Sequence, residues 1–228
     1  MTERTFPTTG PIELHVSMAA SDVTLVASDR ADTRVTVTQR GGDAAPDHVR
    51  VSHEGDRVTV EERRGLGLRR PRGAWDVLVE LPARSTARLQ VGAGDIVARG
   101  DLSSVDATSG AGKIRLGRCA GVQAKTGVGD VEVGVVRGAA TIKSGTGDVV
   151  VRSIEGGDLR ISTGTGSIRC GIPEGVAARL DMSSGLGTVD NQLAHLDARP
   201  EATEYATIVA KTGLGDIVVE RSVQAASA

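Results

Sequence analysis

A five-residue pattern recurs seven times in this chain. It reads Gly92-Ala93-Gly94-Asp95-Ile96, Gly110-Ala111-Gly112-Lys113-Ile114, Gly127-Val128-Gly129-Asp130-Val131, Gly145-Thr146-Gly147-Asp148-Val149, Gly164-Thr165-Gly166-Ser167-Ile168, Gly185-Leu186-Gly187-Thr188-Val189 and Gly213-Leu214-Gly215-Asp216-Ile217. The first five copies start at 92, 110, 127, 145 and 164, a period of about 18 residues, which lies in the range of short-period repeat folds. Such a chain stacks similar units, because one unit alone cannot bury its apolar face.

The residues around each copy alternate. Five, three and one positions before the first glycine stand Val105, Ala107 and Ser109, then Val122, Ala124 and Thr126, then Ala140, Ile142 and Ser144. Later copies give Leu159, Ile161 and Thr163, then Leu180, Met182 and Ser184, then Ile208, Ala210 and Thr212. The intervening residues are mostly polar, such as Gln123, Lys125, Thr141 and Lys143. Period two marks a strand buried on one face. After the motif the alternation resumes through Ile114 and Leu116, Val131 and Val133, Val149 and Val151, and Ile168 and Cys170.

Each unit is therefore strand, tight Gly-x-Gly turn, strand and a looser second turn. Matching inner positions from copy to copy favour stacked rungs about 4.8 Å apart. The expected fold is all-β: a single-domain β-solenoid, β-helix-like, with about 18 residues and two short strands per coil and an irregular amino-terminal capping region. The inner Ser/Thr row is placed to hydrogen-bond along the stack and satisfy turn backbone. The glycines supply positive φ or close backbone approach at the corners.

Residues 1–85 read as an amino-terminal β region continuous with or capping the solenoid. Ala19-Ala20-Ser21-Asp22-Val23 stands where a Gly-x-Gly-Asp-Ile would, and Val49–Val51 with Val58–Val60 read as a hairpin around Gly55. Residues 86–222 carry the Gly-x-Gly-Asp repeats, with a surface insertion between Asp190 and Glu201. Residues 223–228 read as a disordered tail. The last rung, ending near Arg221, shows no cap and is expected to present an open edge.

Composition restricts function. The net charge is −2, which gives the whole molecule no strong attraction to nucleic acid or anionic lipid. Phe6, Trp75 and Tyr205 are the only aromatics, so the ring platforms that stack sugars or single-stranded nucleic acid are nearly absent. The start has no signal-like apolar run, and no stretch approaches a membrane helix of about 20 apolar residues. Cys119 and Cys170 occupy non-equivalent places in their units and read as buried thiols of a cytoplasmic protein.

The acidic corner residues Asp95, Asp130, Asp148 and Asp216 invite a calcium reading, but Lys113, Ser167 and Thr188 interrupt the row. An Asp after a Gly turn more often caps backbone N–H groups. The Gly-x-Gly corners precede strands rather than helices, which weighs against phosphate binding. His15 and His53 read as outward-facing, and no nucleophile-histidine-acid order appears among His15, His48, His53 and His195. The expectation is a non-enzyme with no cofactor and no metal. The candidate partner- or anion-binding feature is the basic segment carrying Arg63, Arg64, Arg69, Arg70 and Arg72.

The chain resembles a family of bacterial β-strand-repeat proteins of unknown function, common in actinobacteria and often labelled "putative adhesin". The matching stretches are Pro11–Leu14, Asp22–Thr33, the repeated Gly-x-Gly-Asp-Val, Gly175–Met182 and Ala210–Ile217. The resemblance implies a β-solenoid and a small protein partner. The role expected from all of this is an interaction scaffold binding a protein or a second copy through the solenoid end. The alternative is a carbohydrate- or cell-surface-binding adhesin-like module.

Overall fold

The computed structural model describes residues 1–40, 48–62, 74–193 and 204–222. They form one all-β, mixed sheet of eighteen strands. In chain order these are β1 (Thr2–Pro7), β2 (Glu13–Ser28), β3 (Asp32–Arg40), β4 (Val49–Glu54), β5 (Arg57–Glu62), β6 (Ala74–Pro82), β7 (Thr86–Ala93), β8 (Ile96–Ala111) and β9 (Ile114–Val128). They continue as β10 (Val131–Val136), β11 (Ala140–Thr146), β12 (Val149–Ile154), β13 (Gly157–Thr165), β14 (Ile168–Ile172), β15 (Val176–Leu186), β16 (Val189–Asn191), β17 (Glu204–Leu214) and β18 (Ile217–Arg221).

From β7 onward every pairing is parallel, and equivalent residues of successive copies face each other. Val105 pairs with Val122, Val122 with Ala140 and Ala140 with Leu159. Across the corner, Ile96 pairs with Ile114, Ile114 with Val131 and Val131 with Val149. Each copy is thus one layer with two arms, and the buried side chains of both arms join a single core cluster. The looser second turn expected of this copy falls at Arg99-Gly100-Asp101. There β8 runs on unbroken, with a register shift between Ala98 and Asp101.

Residues 13–28 also form a layer of this stack. β2 pairs in parallel with β7 and β8 on one side and with β5 and β6 on the other. The Ala19-Ala20-Ser21 stretch does take the corner position, with Ala20 opposite Ala93. Beyond β6 the direction reverses: β3 pairs antiparallel with β6, β1 with β3 and β4 with β5.

The layer order departs from the chain order near the carboxy terminus. The last copy does not end the stack. β17 pairs with β13 on one side and β15 on the other, and β18 lies between β14 and β16. The layer of residues 204–221 is therefore inserted between 157–172 and 176–191. The expectation that the rung ending near Arg221 is the open one is corrected: the terminal layer is β15 with β16.

A physical reason lies at residue 191. In the shared register Asn191 aligns with Val219 and Cys170, both fully buried. An interior layer would bury that amide, and burying an unpaired amide costs about 1–3 kcal/mol on mutational scales. At the end of the stack Asn191 is exposed. The 204–221 layer carries Ala206, Ile208, Ala210, Ile217 and Val219 at inner positions and suits the interior.

The corners explain the glycines. Gly147 has φ +144°, and a Cβ there would lie 2.1 Å from the Gly129 carbonyl oxygen. Gly145 has ordinary φ, yet its Cβ would lie 2.4 Å from the Gly127 oxygen. One glycine supplies the dihedral and the other the clearance between layers.

Candidate functional site

Two rows of side chains run along the corners. Inside, Ser109 Oγ donates to the Gly94 carbonyl at 3.1 Å, Thr126 Oγ1 to Gly112 at 3.1 Å and Ser144 Oγ to Gly129 at 3.1 Å. Thr163 donates to Gly147 at 3.0 Å, Thr212 to Gly166 at 2.8 Å and Ser184 to Gly215 at 2.8 Å. Each hydroxyl satisfies the corner carbonyl of the layer before it, a net gain of about 0.5–1.5 kcal/mol per bond.

Outside, the acidic row caps backbone. Asp95 N–H donates to Asp22 Oδ1 at 2.9 Å, and Lys113 N–H to Asp95 Oδ1 at 2.8 Å. Asp148 N–H donates to Asp130 Oδ1 at 3.2 Å, Ser167 N–H to Asp148 Oδ1 at 2.8 Å and Thr188 N–H to Asp216 Oδ1 at 2.8 Å. Where Ser167 replaces aspartate, its hydroxyl accepts from Asp216 N–H at 3.3 Å. The capped N–H always belongs to the next layer. These carboxylates hold layers together, and one oxygen of each is committed to that task.

Cations are set into the row. Arg40 bridges Asp22 and Asp76, and Lys113 Nζ meets Asp130 Oδ2 at 2.9 Å. Burial pushes the Asp22 carboxyl up, but the Arg40 bond and the Asp95 N–H outweigh it and hold it below the usual range. Lys113 holds Asp130 low, and the Thr188 N–H holds Asp216 low. A shallow depression of about 250 Å³ lies beside these corners, walled by Lys113, Arg115, Asp130, Glu132 and Asp148. Lys113 there pairs with Asp130, Arg115 approaches Glu132 at 3.9 Å, and Asp148 accepts the Ser167 N–H.

His15 and His53 lie on different faces. His15 Nε2 bonds Glu13 at 2.7 Å on the outer face. His53 was expected outward and is not. It lies opposite the fully buried Val58, and its ring meets Phe6 with centroids 5.0 Å apart. The antiparallel β4 puts His53 on the core face, where it packs β4 against β1. Among the described residues no three His, Cys, Asp or Glu side chains converge as a metal set. Cys119 and Cys170 are free and buried, and burial pushes both thiols up to about 12. The basic candidates Arg63, Arg64, Arg69, Arg70 and Arg72 lie outside the described residues, in the connection from β5 to β6.

The end of the stack at β15 and β16 is the site that sequence order misplaced. β15 pairs only with β17 and β16 only with β18, so among the described residues no strand covers their outer edges. Val176, Ala178, Leu180 and Met182 sit in core register but are only half-buried. Leu186 and Val189, flanking the corner glycine, are 71% and 45% exposed. An unpaired parallel edge over apolar side chains is a template for another strand. The signal that could have located it was Asn191 in a core-register position.

No family model matches the chain, and no curated protein matches it. Solved structures do. One described as a "putative adhesin" from Bacteroides fragilis has a TM-score of 0.56 at 13% identity, with 96% of each chain covered. A "putative adhesin" from Parabacteroides distasonis gives 0.49 at 13% identity, covering 96% of each chain. A "putative lipid binding protein" from the same species gives 0.49 at 9%, covering 97% of this chain and 94% of that one. The chain shares its fold with the Bacteroides fragilis protein over nearly the whole length of both.

Proposed function

We propose that this chain is a β-solenoid serving as a non-enzymatic interaction scaffold, and that its docking site is the strand edge of β15. In this reading each layer is one coil, residues 1–85 supply the capping end, and residues 86–222 supply the repeating body. The single observation that carries the proposal is the half-buried core register of the terminal layer. Leu180 and Met182 are partly open to solvent while their partners Ile208 and Ala210 are fully buried. A strand laid on that edge would complete the hydrogen bonding and cover the apolar row, as in β-augmentation. The two free, buried thiols suit a reducing compartment, which supports a cytoplasmic setting.

The test is light scattering on a sizing column across a wide concentration range, comparing the wild type with Met182→Lys. An inward charge at an edge position discourages strand addition. The expected result is a mass that grows from 23.5 kDa with concentration only in the wild type. Equal growth of the two proteins with concentration would contradict the reading.

A second reading, an adhesin-like surface-binding module, draws support from the fold shared with the Bacteroides fragilis structure. Tyr205 is 68% exposed and could offer one stacking ring, whereas Trp75 is buried. Binding to a glycan array that is lost in Tyr205→Ala would favour it.

A further inference from the structure

Resting on the open-edge reading, we propose that the partner is a second copy of this chain, joined through antiparallel β15–β15 pairing on a two-fold axis at Leu180. The first argument is backbone direction. Val122 donates its N–H to the Ala139 carbonyl, one layer toward the β15 end. Val122, Ala140, Leu159, Ile208 and Leu180 share one register. The Leu180 N–H and C=O therefore point out of the terminal edge, and by strand alternation so do those of Ala178 and Met182. An antiparallel partner exchanges both bonds between directly opposed residues of this kind.

Charge selects the centre. Arg179 and Asp181 are exposed on the outer face of β15, and neither takes part in an ion pair among the described residues. A two-fold axis at Leu180 sets Arg179 of each copy opposite Asp181 of the other. It also sets Ala178 against Met182 on the apolar face and Leu180 against itself. An axis at Arg179 or at Asp181 would oppose like charges, which destabilises strand pairs. A C2 interface of this sort is self-complementary and closes after two copies, so it yields a dimer and not a fibre. In a head-to-tail joining β15 would meet β4, which runs against the layers, so the parallel repeat would not continue across that contact.

The experiment uses charge reversal in the full chain, with mass read by sedimentation and folding checked by thermal melting. Arg179→Asp leaves two acids on the edge, and Asp181→Arg leaves two bases. Each variant alone is expected to weaken dimerisation by about tenfold, following from two opposed pairs per interface at a few tenths to 1 kcal/mol each. An equimolar mixture is expected to restore a species of twice the single-chain mass, as is the double variant Arg179→Asp/Asp181→Arg. A wild type that stays monomeric at every concentration overturns the proposal, as does capture of a different protein's strand on β15 with no self-pairing. A dimer abolished by Met182→Lys but indifferent to both reversals overturns the register while leaving edge docking intact. A dimer indifferent to all three substitutions overturns edge docking as well.

Discussion

The two ends of the stack solve the same problem differently. At the β6 end, β3 and β4 run against the direction of the layers, and the core beneath them is dry: Val58, Val60 and Val79 are each 0% exposed. At the β15 end the final layer repeats the one before it, and Leu180 and Met182 stay half-open. An antiparallel cap changes the hydrogen-bonding pattern, so the run of parallel layers in shared register stops at it. The edge strand β1 adds Glu3, Arg4 and Pro7, residues that discourage strand addition. A terminal layer identical in form to its neighbour leaves the template exposed.

The strongest way to break this comparison is at the interior corners. Gly147→Ala puts a Cβ 2.1 Å from the Gly129 oxygen at φ +144°, and should cost more than about 3 kcal/mol in urea unfolding. Gly175→Ala, next to β15, has positive φ but nothing within 4 Å, and should cost about 1 kcal/mol. Equal costs would show that the layers are not in the tight contact described.

Core truncation sharpens the contrast one step down. Ile142→Ala, fully buried in the middle of the stack, should lose about 2–5 kcal/mol. Leu180→Ala should lose about 1 kcal/mol when measured on the dilute protein, because much of its area already meets water. If Leu180→Ala is as damaging as Ile142→Ala, the terminal layer is not terminal.

Acid should loosen the corner row at three of its carboxylates. Asp22, Asp130 and Asp216 have carboxyls held below their ordinary value near 3.8. A lowered folded value means that their contribution is present above the unfolded value and lost as pH falls through it and below. Melting temperature should therefore be steady near neutral pH and drop below about pH 4. The drop should be smaller in Asp130→Asn, since that group no longer titrates. A melting temperature unchanged down to the acid limit would contradict the capping role.

The smallest effects belong to the hydroxyl row. Ser144→Ala removes a donor to Gly129 inside the stack and should cost about 1 kcal/mol. Ser184→Ala removes the equivalent donor at the half-open layer, where water can replace it, and should cost a few tenths of that.

Much of this was legible in the sequence. The glycine pairs located the corners, period two chose the buried side chains, and the Ser/Thr row announced its bonds to corner carbonyls. Those features are local and repeat, so one copy explains the rest. The order of the layers was not legible, because parallel layers of equal register are nearly interchangeable to local pattern. Only Asn191 in a core register distinguished an end layer from an inner one. His53 was misread because the strand-face assignment depends on which residue of β4 opposes Val58. The arginines of the basic segment carry no period at all, so pattern alone could not place them.

Amide hydrogen exchange resolved by residue, followed as protein concentration rises, tests the central claim most directly. In dilute solution the outward amides of Ala178, Leu180 and Met182 should exchange far faster than those of Leu159 and Ile161 in β13, and protection should rise with concentration. Amides of β15 as protected as those of β13 at every dilution would contradict an open edge at this end.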